Sequence, residues 1–202
     1  MVKDGFYYAL ALGLSAVLLT WLVHPVAALP FVALALFCLY FFRDPEREIP
    51  SGPVAVSPAD GKVVDIRSLE GGSHRVSIFL NVFDVHVNRC PVGGVIQDVH
   101  YTPGKFKVAS LEVASAENEQ NTLVVDDGRS RVAFKQIAGL IARRIVCHKK
   151  VGDRVETGER FGLIKFGSRM DVVLGPEWEL AVQCGERVKA GSSILARRRE
   201  AS

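Results

Sequence analysis

Two long uncharged apolar stretches open the chain, and nothing like them recurs. Gly5 to Val23 holds 19 residues without a charge, close to the roughly 20 that carry a helix across a bilayer core. After His24-Pro25 a second uncharged stretch, Val26 to Phe42, runs for 17 residues and is marginal in length for a span. The pattern predicts an N-terminal α-helical membrane hairpin over residues 1–45, turning at His24-Pro25, with Lys3 before it and Arg43 and Arg47 after it. Positive charge at both ends places them on the cytoplasmic face by the positive-inside tendency. A secretory signal needs one short apolar core and a small-residue cleavage site, which two long stretches do not offer.

From Val54 onward the pattern changes to short runs of β-branched and apolar residues, broken by Gly, Pro, Asp and Asn. Such punctuation predicts a mainly β domain over residues 46–202, a barrel-like or sandwich fold. Strands are expected at Gly61 to Ile66, Arg75 to Leu80, Gly94 to Tyr101, Asn121 to Asp126, Arg131 to Ile137, Arg144 to Cys147, Phe161 to Phe166 and Asp171 to Leu174. Asp127-Gly128 is placed to close a hairpin between the fourth and fifth of these. Lys105 to Asn118 reads as a loop with a helical turn, suited to cover a site. One phrase occurs twice: Gly152-Asp153-Arg154-Val155-Glu156-Thr157-Gly158 and Gly185-Glu186-Arg187-Val188-Lys189-Ala190-Gly191. Turn, short strand and turn make it a small barrel element, the hammerhead of biotinyl and lipoyl carrier domains. No lysine here has the flanks of a carrier's modified lysine, so a membrane-tethered carrier-like module is the weaker, non-enzymatic alternative.

Charge and cysteine content narrow the field. A formal net charge of +3, with basic clusters scattered among strands and no aromatic interleaving, argues against nucleic acid and for anionic lipid head groups as the attractive partner. Cys38, Cys90, Cys147 and Cys184 form no CxxC pair, so zinc and redox motifs are unsupported, no metal is expected, and buried reduced thiols are expected.

The chain contains three Gly-Ser dipeptides, at 72–73, 167–168 and 191–192. A serine hydroxyl can attack the carbonyl before it and turn an amide into an ester, and glycine there minimises obstruction. Elimination and hydrolysis then leave a pyruvoyl group, a ketone that takes amines as Schiff bases. Gly191-Ser192 falls in the repeated phrase and Gly72-Ser73 in a glycine-rich turn, which leaves Gly167-Ser168. A self-processing serine needs a base and a group that steadies it. His24, His74 and His148 have exposed or interfacial settings, His100 reads as a packed strand end, and His86 lies where polar and apolar residues alternate before a Pro-Val-Gly-Gly turn. Asp60 and Asp84 are the acidic candidates. Residue types alone do not rank them.

Phe42-Arg43-Asp44-Pro45, Ser57-Pro58-Ala59-Asp60-Gly61-Lys62-Val63, Phe83-Asp84-Val85-His86-Val87-Asn88-Arg89, Glu117-Asn118-Glu119 and Ile164-Lys165-Phe166-Gly167-Ser168-Arg169 occur in one order along the chain. In that order they resemble the short bacterial and archaeal branch of the phosphatidylserine decarboxylases. The resemblance implies autocatalytic cleavage of Gly167-Ser168, a large chain 1–167 held with a small chain 168–202 as a heterodimer, and a pyruvoyl cofactor derived from Ser168. It matches Asp60 to the aspartate of the self-processing triad and His86 to its histidine, and it implies phosphatidylserine as substrate at a membrane. Arg89 stands three residues after His86, where longer members carry a second histidine. Either His86 then serves both cleavage and decarboxylation, or an arginine, water or other group assists. A pyruvoyl decarboxylase of a soluble amino acid is the remaining enzymatic alternative, and a higher oligomer is compatible with both.

Overall fold

The computed structural model describes residues 2–104, 118–139, 144–165 and 167–199. The chain divides into two compact units, 1–46 and 47–202. In the first, helix α1 (Lys3–Leu22) and helix α2 (Pro25–Phe41) form the hairpin. Pro25 sits in the first turn of α2, where its missing N–H costs nothing, and the His24 ring caps that turn by accepting from the Val26 amide at 3.3 Å. At the base of the hairpin the Val2 amide donates to the Phe42 carbonyl at 3.0 Å. Gly5 permits this closeness, since a Cβ there would lie 2.3 Å from Phe42 Cβ. The helices bury Gly5, Ala16, Ala28 and Phe41 and expose Leu14, Val17, Trp21 and Leu29. Small residues between helices and large apolar ones outside suit a pair surrounded by lipid. By length and composition α1 can cross a membrane; α2 is shorter.

The second unit is built of antiparallel strands. Its long, curled sheet has the order β13 (Arg187–Val188), β2 (Gly61–Ser68), β3 (His74–Leu80), β11 (Ser168–Leu174), β7 (Arg131–Ala138), β6 (Gln120–Asp126), β5 (Gly94–Thr102), β9 (Arg154–Val155). Two three-stranded sheets accompany it: β1 (Val54–Val56), β14 (Ile194–Arg198), β12 (Trp178–Leu180), and β4 (Val87–Arg89), β10 (Arg160–Ile164), β8 (Ile145–Cys147). Alternation along the central strands puts Ile78, Leu123, Phe134, Met170 and Val172 into one core, the period-two burial expected of a half-buried sheet. The predicted β-rich class and all eight strands are present. Asp127 and Gly128 lie in the connection between β6 and β7, with Gly128 at φ 84°. Residues 105–117 and Phe166 lie outside the described residues, so the expected loop with a helical turn does too.

Several expectations are corrected. Only Cys90 is buried, Cys38 and Cys147 are half-buried and Cys184 is exposed, although all four are free thiols as expected. His100 is also exposed, because residues on the outer face of β5 meet solvent. The short strands β1, β4, β12 and β14 were not anticipated.

The repeated phrase proves to be part of a much larger repeat. The order of the long sheet is a palindrome about the β11–β7 pair. Arg187 and Val188 pair with Lys62 and Gly61 at one end, and Arg154 and Val155 pair with Val95 and Gly94 at the other. The register slips between Val63 and Asp65 in β2 and between Ile96 and Asp98 in β5, the same step of the same bulge. Gly61 and Gly94 meet the same demand: a Cβ would come within 2.2 Å of the Phe79 carbonyl oxygen in one and 2.3 Å of the Asp126 oxygen in the other. The two small sheets match as well, strand for strand, with a register shift at the same place. One copy is thus β1, β2, β3, β11, β12, β13 and β14. The other, β4 to β10, is inserted whole between β3 and β11.

Candidate active site

Ser168 is the first residue of β11, opposite Leu80 on one side and Ala138 on the other. Its position in the alternation puts the side chain on the core face with Met170 and Val172. The residue is fully buried, and its Oγ has no hydrogen-bond partner among the described residues. Gly167 before it has φ 47°, in the left-handed region, with nothing within 4 Å of where a Cβ would stand. Ser73 and Ser192, which follow the other Gly-Ser bonds, are partly exposed turn residues. Arg169 faces Phe79 as Arg131 faces Asp126, so Ser168 holds the position of Ser130 in the other copy. There, four residues join β6 to β7 directly. Here the chain leaves after Leu80, builds the entire second copy, and returns at Gly167-Ser168.

His86 closes the loop that leaves β3. Asn81 Oδ1 accepts from the Phe83 amide at 2.8 Å, and Asp84 Oδ2 accepts from the Asn81 amide at 2.9 Å, so the two side chains fix the turn. The carboxylate of Asp84 also accepts from Arg187. The His86 Nδ1 lies 2.9 Å from the Asp84 carbonyl oxygen. A carbonyl can only accept, which assigns the proton to Nδ1 and leaves the lone pair of the neutral ring on Nε2, the arrangement of a general base. His86 is the one buried histidine among the described residues. Its carbonyl accepts from the Ile164 amide at 3.3 Å, tying this loop to β10 four residues before Ser168.

Asp60 ends the segment before β2. Arg47 Nη2 donates to both carboxylate oxygens, at 2.9 and 2.8 Å, and the Ala190 amide donates to Oδ1 at 2.8 Å. Among the described residues no hydrogen bond joins Asp60 to His86 or Ser168. What relates the three is the repeat. The Ile164–His86 bond corresponds to one from the Arg198 amide to the Pro53 carbonyl, at 2.9 Å. His86 therefore corresponds to Pro53, Ile164 to Arg198 and Asp60 to Gly93. A cavity of about 250 Å³ lies at Pro53, Gly93, Asp127, Arg129, Trp178 and Arg198. The corresponding positions are His86, Asp60, Leu80, Gly167, Ile145 and Ile164, so the symmetry directs Asp60, His86 and the Gly167-Ser168 bond toward one place. In the cavity Arg198 bonds Asp127 and Ser130 Oγ and lies over the Trp178 ring. The counterparts of Arg198, Trp178 and Asp127 on the Ser168 side are Ile164, Ile145 and Leu80.

Two further motifs lie close by. Asn118 is buried and its Nδ2 donates to the Ala138 carbonyl at 2.7 Å, while the Ala138 amide donates to the Glu119 carbonyl at 2.9 Å; Ala138 is the strand partner of Ser168. Arg89, at the expected second-histidine position, is a buried prop. Its Nη1 donates to the Gly158 carbonyl at 3.0 Å, and its Cδ would stand 2.9 Å from a Cβ at Gly191, so it braces both turns of the repeated phrase. Arg47, Ala190 and Arg187 escaped sequence reasoning because they reach their carboxylates across 13, 130 and 103 residues. No group of three or more His, Cys, Asp or Glu able to hold a metal ion occurs among the described residues.

The second unit is thus a β domain of two interlocked copies, with a Gly-Ser bond and its buried serine where one copy re-enters the other. Residues 34–196 match the family model described as phosphatidylserine decarboxylase. The phosphatidylserine decarboxylase proenzyme of Solibacter usitatus is 64% identical over 198 residues, covering 98% of this chain and 97% of the relative. Those of Syntrophus aciditrophicus, 45% identical with 96% of both chains covered, and Oleidesulfovibrio alaskensis, 47% identical with 95% and 89% covered, are also similar. The chain belongs to the phosphatidylserine decarboxylase family.

Proposed function

We propose that the chain is the proenzyme of a membrane-anchored phosphatidylserine decarboxylase that cuts itself between Gly167 and Ser168. The observation that carries this reading is Ser168 Oγ, fully buried and without a partner among the described residues, next to a left-handed glycine. An unpartnered buried hydroxyl is costly, and its persistence suits a group waiting to react.

In this reading His86 Nε2 takes the Ser168 hydroxyl proton, with Nδ1–H held on the Asp84 carbonyl. Asp60 stabilises the charge that develops. Ser168 Oγ attacks the Gly167 carbonyl carbon, and the amide becomes an ester as the Ser168 nitrogen leaves with a proton. Elimination then frees the Gly167 carboxylate, and hydrolysis of the dehydroalanine releases ammonia. The site fits the pyruvoyl group so formed, which would occupy the former Ser168 position between Leu80 and Ala138. That group supplies a ketone that takes the amine of the substrate and accepts the electrons left when carbon dioxide departs. His86 then returns a proton to the substrate carbon. Ile164, Leu80 and Ile145 exclude water around it, and the hairpin keeps the domain on the cytoplasmic face of the membrane that holds phosphatidylserine and receives phosphatidylethanolamine.

The test is the intact mass of the purified protein together with carbon dioxide release. Two chains meeting at 167 and 168, and release from phosphatidylserine vesicles, are expected. A single uncut chain in active material, or preference for free serine, overturns the reading.

A further inference from the structure

The molecule contains its own control for Asp60. In one copy Gly61 and Val188 pair at the sheet end, and in the other Gly94 and Val155 do so in the same register. Each copy carries one hydrogen bond from a backbone amide to a side chain across this junction, but the chemistry differs. In the second copy the Gly93 amide donates to Thr157 Oγ1 at 2.9 Å. In the first, Thr157 is replaced by Ala190 and Gly93 by Asp60, and the bond runs the other way, from the Ala190 amide to the carboxylate. A neutral hydroxyl thus holds this architecture by itself.

Asp60 brings in a requirement that the second copy lacks. A carboxylate whose side chain is only 14% exposed needs a counter-charge, and Arg47, 12% exposed, provides it with one Nη on both oxygens. Removing two charges from water costs more than a threonine hydroxyl bond, so the fold gains nothing here that it does not obtain more cheaply in the other copy. The arginine comes from the first residue of the second unit, directly after the hairpin.

We infer that Arg47 is a positioning residue for self-processing: it holds the Asp60 carboxylate in one orientation beside the Gly167-Ser168 bond. This rests on the reading of Asp60 proposed above. It also makes Arg47, the first residue of the second unit, part of the processing apparatus.

The experiment follows splitting of the full-length chain after pulse-labelled cell-free synthesis in the presence of phosphatidylglycerol vesicles. Arg47→Ala is expected to split at least about tenfold more slowly, and guanidinium ion at tens of millimolar, far below denaturing concentration, is expected to restore most of the rate. Arg47→Lys should fall between. The graft Asp60→Gly with Ala190→Thr, which imports the neutral pair of the other copy, should fold cooperatively, with a lowered melting temperature from the Arg47 charge left without its partner, and stay uncut. Wild-type splitting by Arg47→Ala, or a slow Arg47→Ala that neither guanidinium nor Arg47→Lys improves, overturns the role of Arg47. Wild-type splitting by the graft instead overturns the reading of Asp60 on which the inference stands.

Discussion

The two copies of the strand unit share pairing, bulges and glycines, and differ where chemistry is proposed. Ser130, in the second copy, accepts from Arg198, which also bonds Asp127 and lies over the Trp178 ring, beside a cavity that reaches Pro53 and Gly93; Arg198, Trp178 and Pro53 come from the first copy. On the Ser168 side the corresponding positions hold Leu80 from the first copy and Ile164 and Ile145 from the second, with His86 and Asp60 in place of the proline and glycine. One site ties its serine hydroxyl to an arginine, and the other leaves it without a partner among the described residues. Under the proposed function, backbone geometry alone does not make a reactive serine. Reactivity needs a hydroxyl without a competing donor, a base, and apolar walls that strengthen whatever charge appears.

The sharpest way to break this comparison is to exchange the serines' fates. Ser168→Ala is expected to remain entirely uncut, whereas Ser130→Ala should split at the wild-type rate, read on a denaturing gel; splitting of the first variant would move the site. His86→Ala should slow splitting by about 10²–10⁴-fold, the usual worth of a positioned general base, as followed by a time course of intact mass. A rate within a few-fold of wild type would remove His86 from the role.

Stability tests ask how alike the copies are. Gly61→Ala and Gly94→Ala each force a methyl against a carbonyl oxygen, so each should cost about 1–3 kcal/mol, and the two should match within about 0.5 kcal/mol in urea melts of the Ser168→Ala protein. Unequal costs would show that the copies relax differently. The smallest effect belongs to a pair found in one copy only, Lys149 with Glu159, which correspond to Val182 and Ser193. Burial pushes the Glu159 carboxyl up, but the bonds from Lys149 and the Glu156 amide outweigh it and hold the group below 4.5. Its contribution is therefore present above pH ~4.5 and is lost as pH falls through the lower folded value. Lys149→Met should lower stability by up to about 1 kcal/mol at pH 7, as expected of a partly exposed pair, with the difference from wild type shrinking as pH falls through the lowered folded value of Glu159.

Much of the fold was legible because its signals are local. Nineteen uncharged residues at Gly5 to Val23 announce a helix wherever they occur, and strands of five to nine residues such as β2, β3, β5 and β7 carry their own alternation. The three-residue strands β1, β4 and β12 do not, since they exist only through partners far along the chain. The repeat was visible at Gly152 to Gly158 and Gly185 to Gly191, where turns demand glycine at φ 90° and 77°, and at 95° and 77°. Elsewhere it was hidden. Ser57 to Val63 and Cys90 to Ile96 share only a proline and a glycine at matching positions, although they trace the same path, because a sheet edge and a bulge accept many side chains. His100 was misplaced for a related reason, since the alternation of a strand does not say which face meets solvent; Cys184 lies in the turn before β13 rather than in a strand.

What the sequence by itself determined is a hydrophobic hairpin, a β-rich domain, three Gly-Ser bonds and a short roster of histidines and aspartates. These follow from contiguous composition and from chemistry that residue type alone implies. The tertiary structure decided that Ser168 is buried while Ser73 and Ser192 are turn residues, that Arg89 is a brace between two turns, and that Arg47 and Ala190 hold Asp60. Those choices depend on strand pairing across tens to more than a hundred residues, and no local pattern encodes which distant backbone will supply a donor.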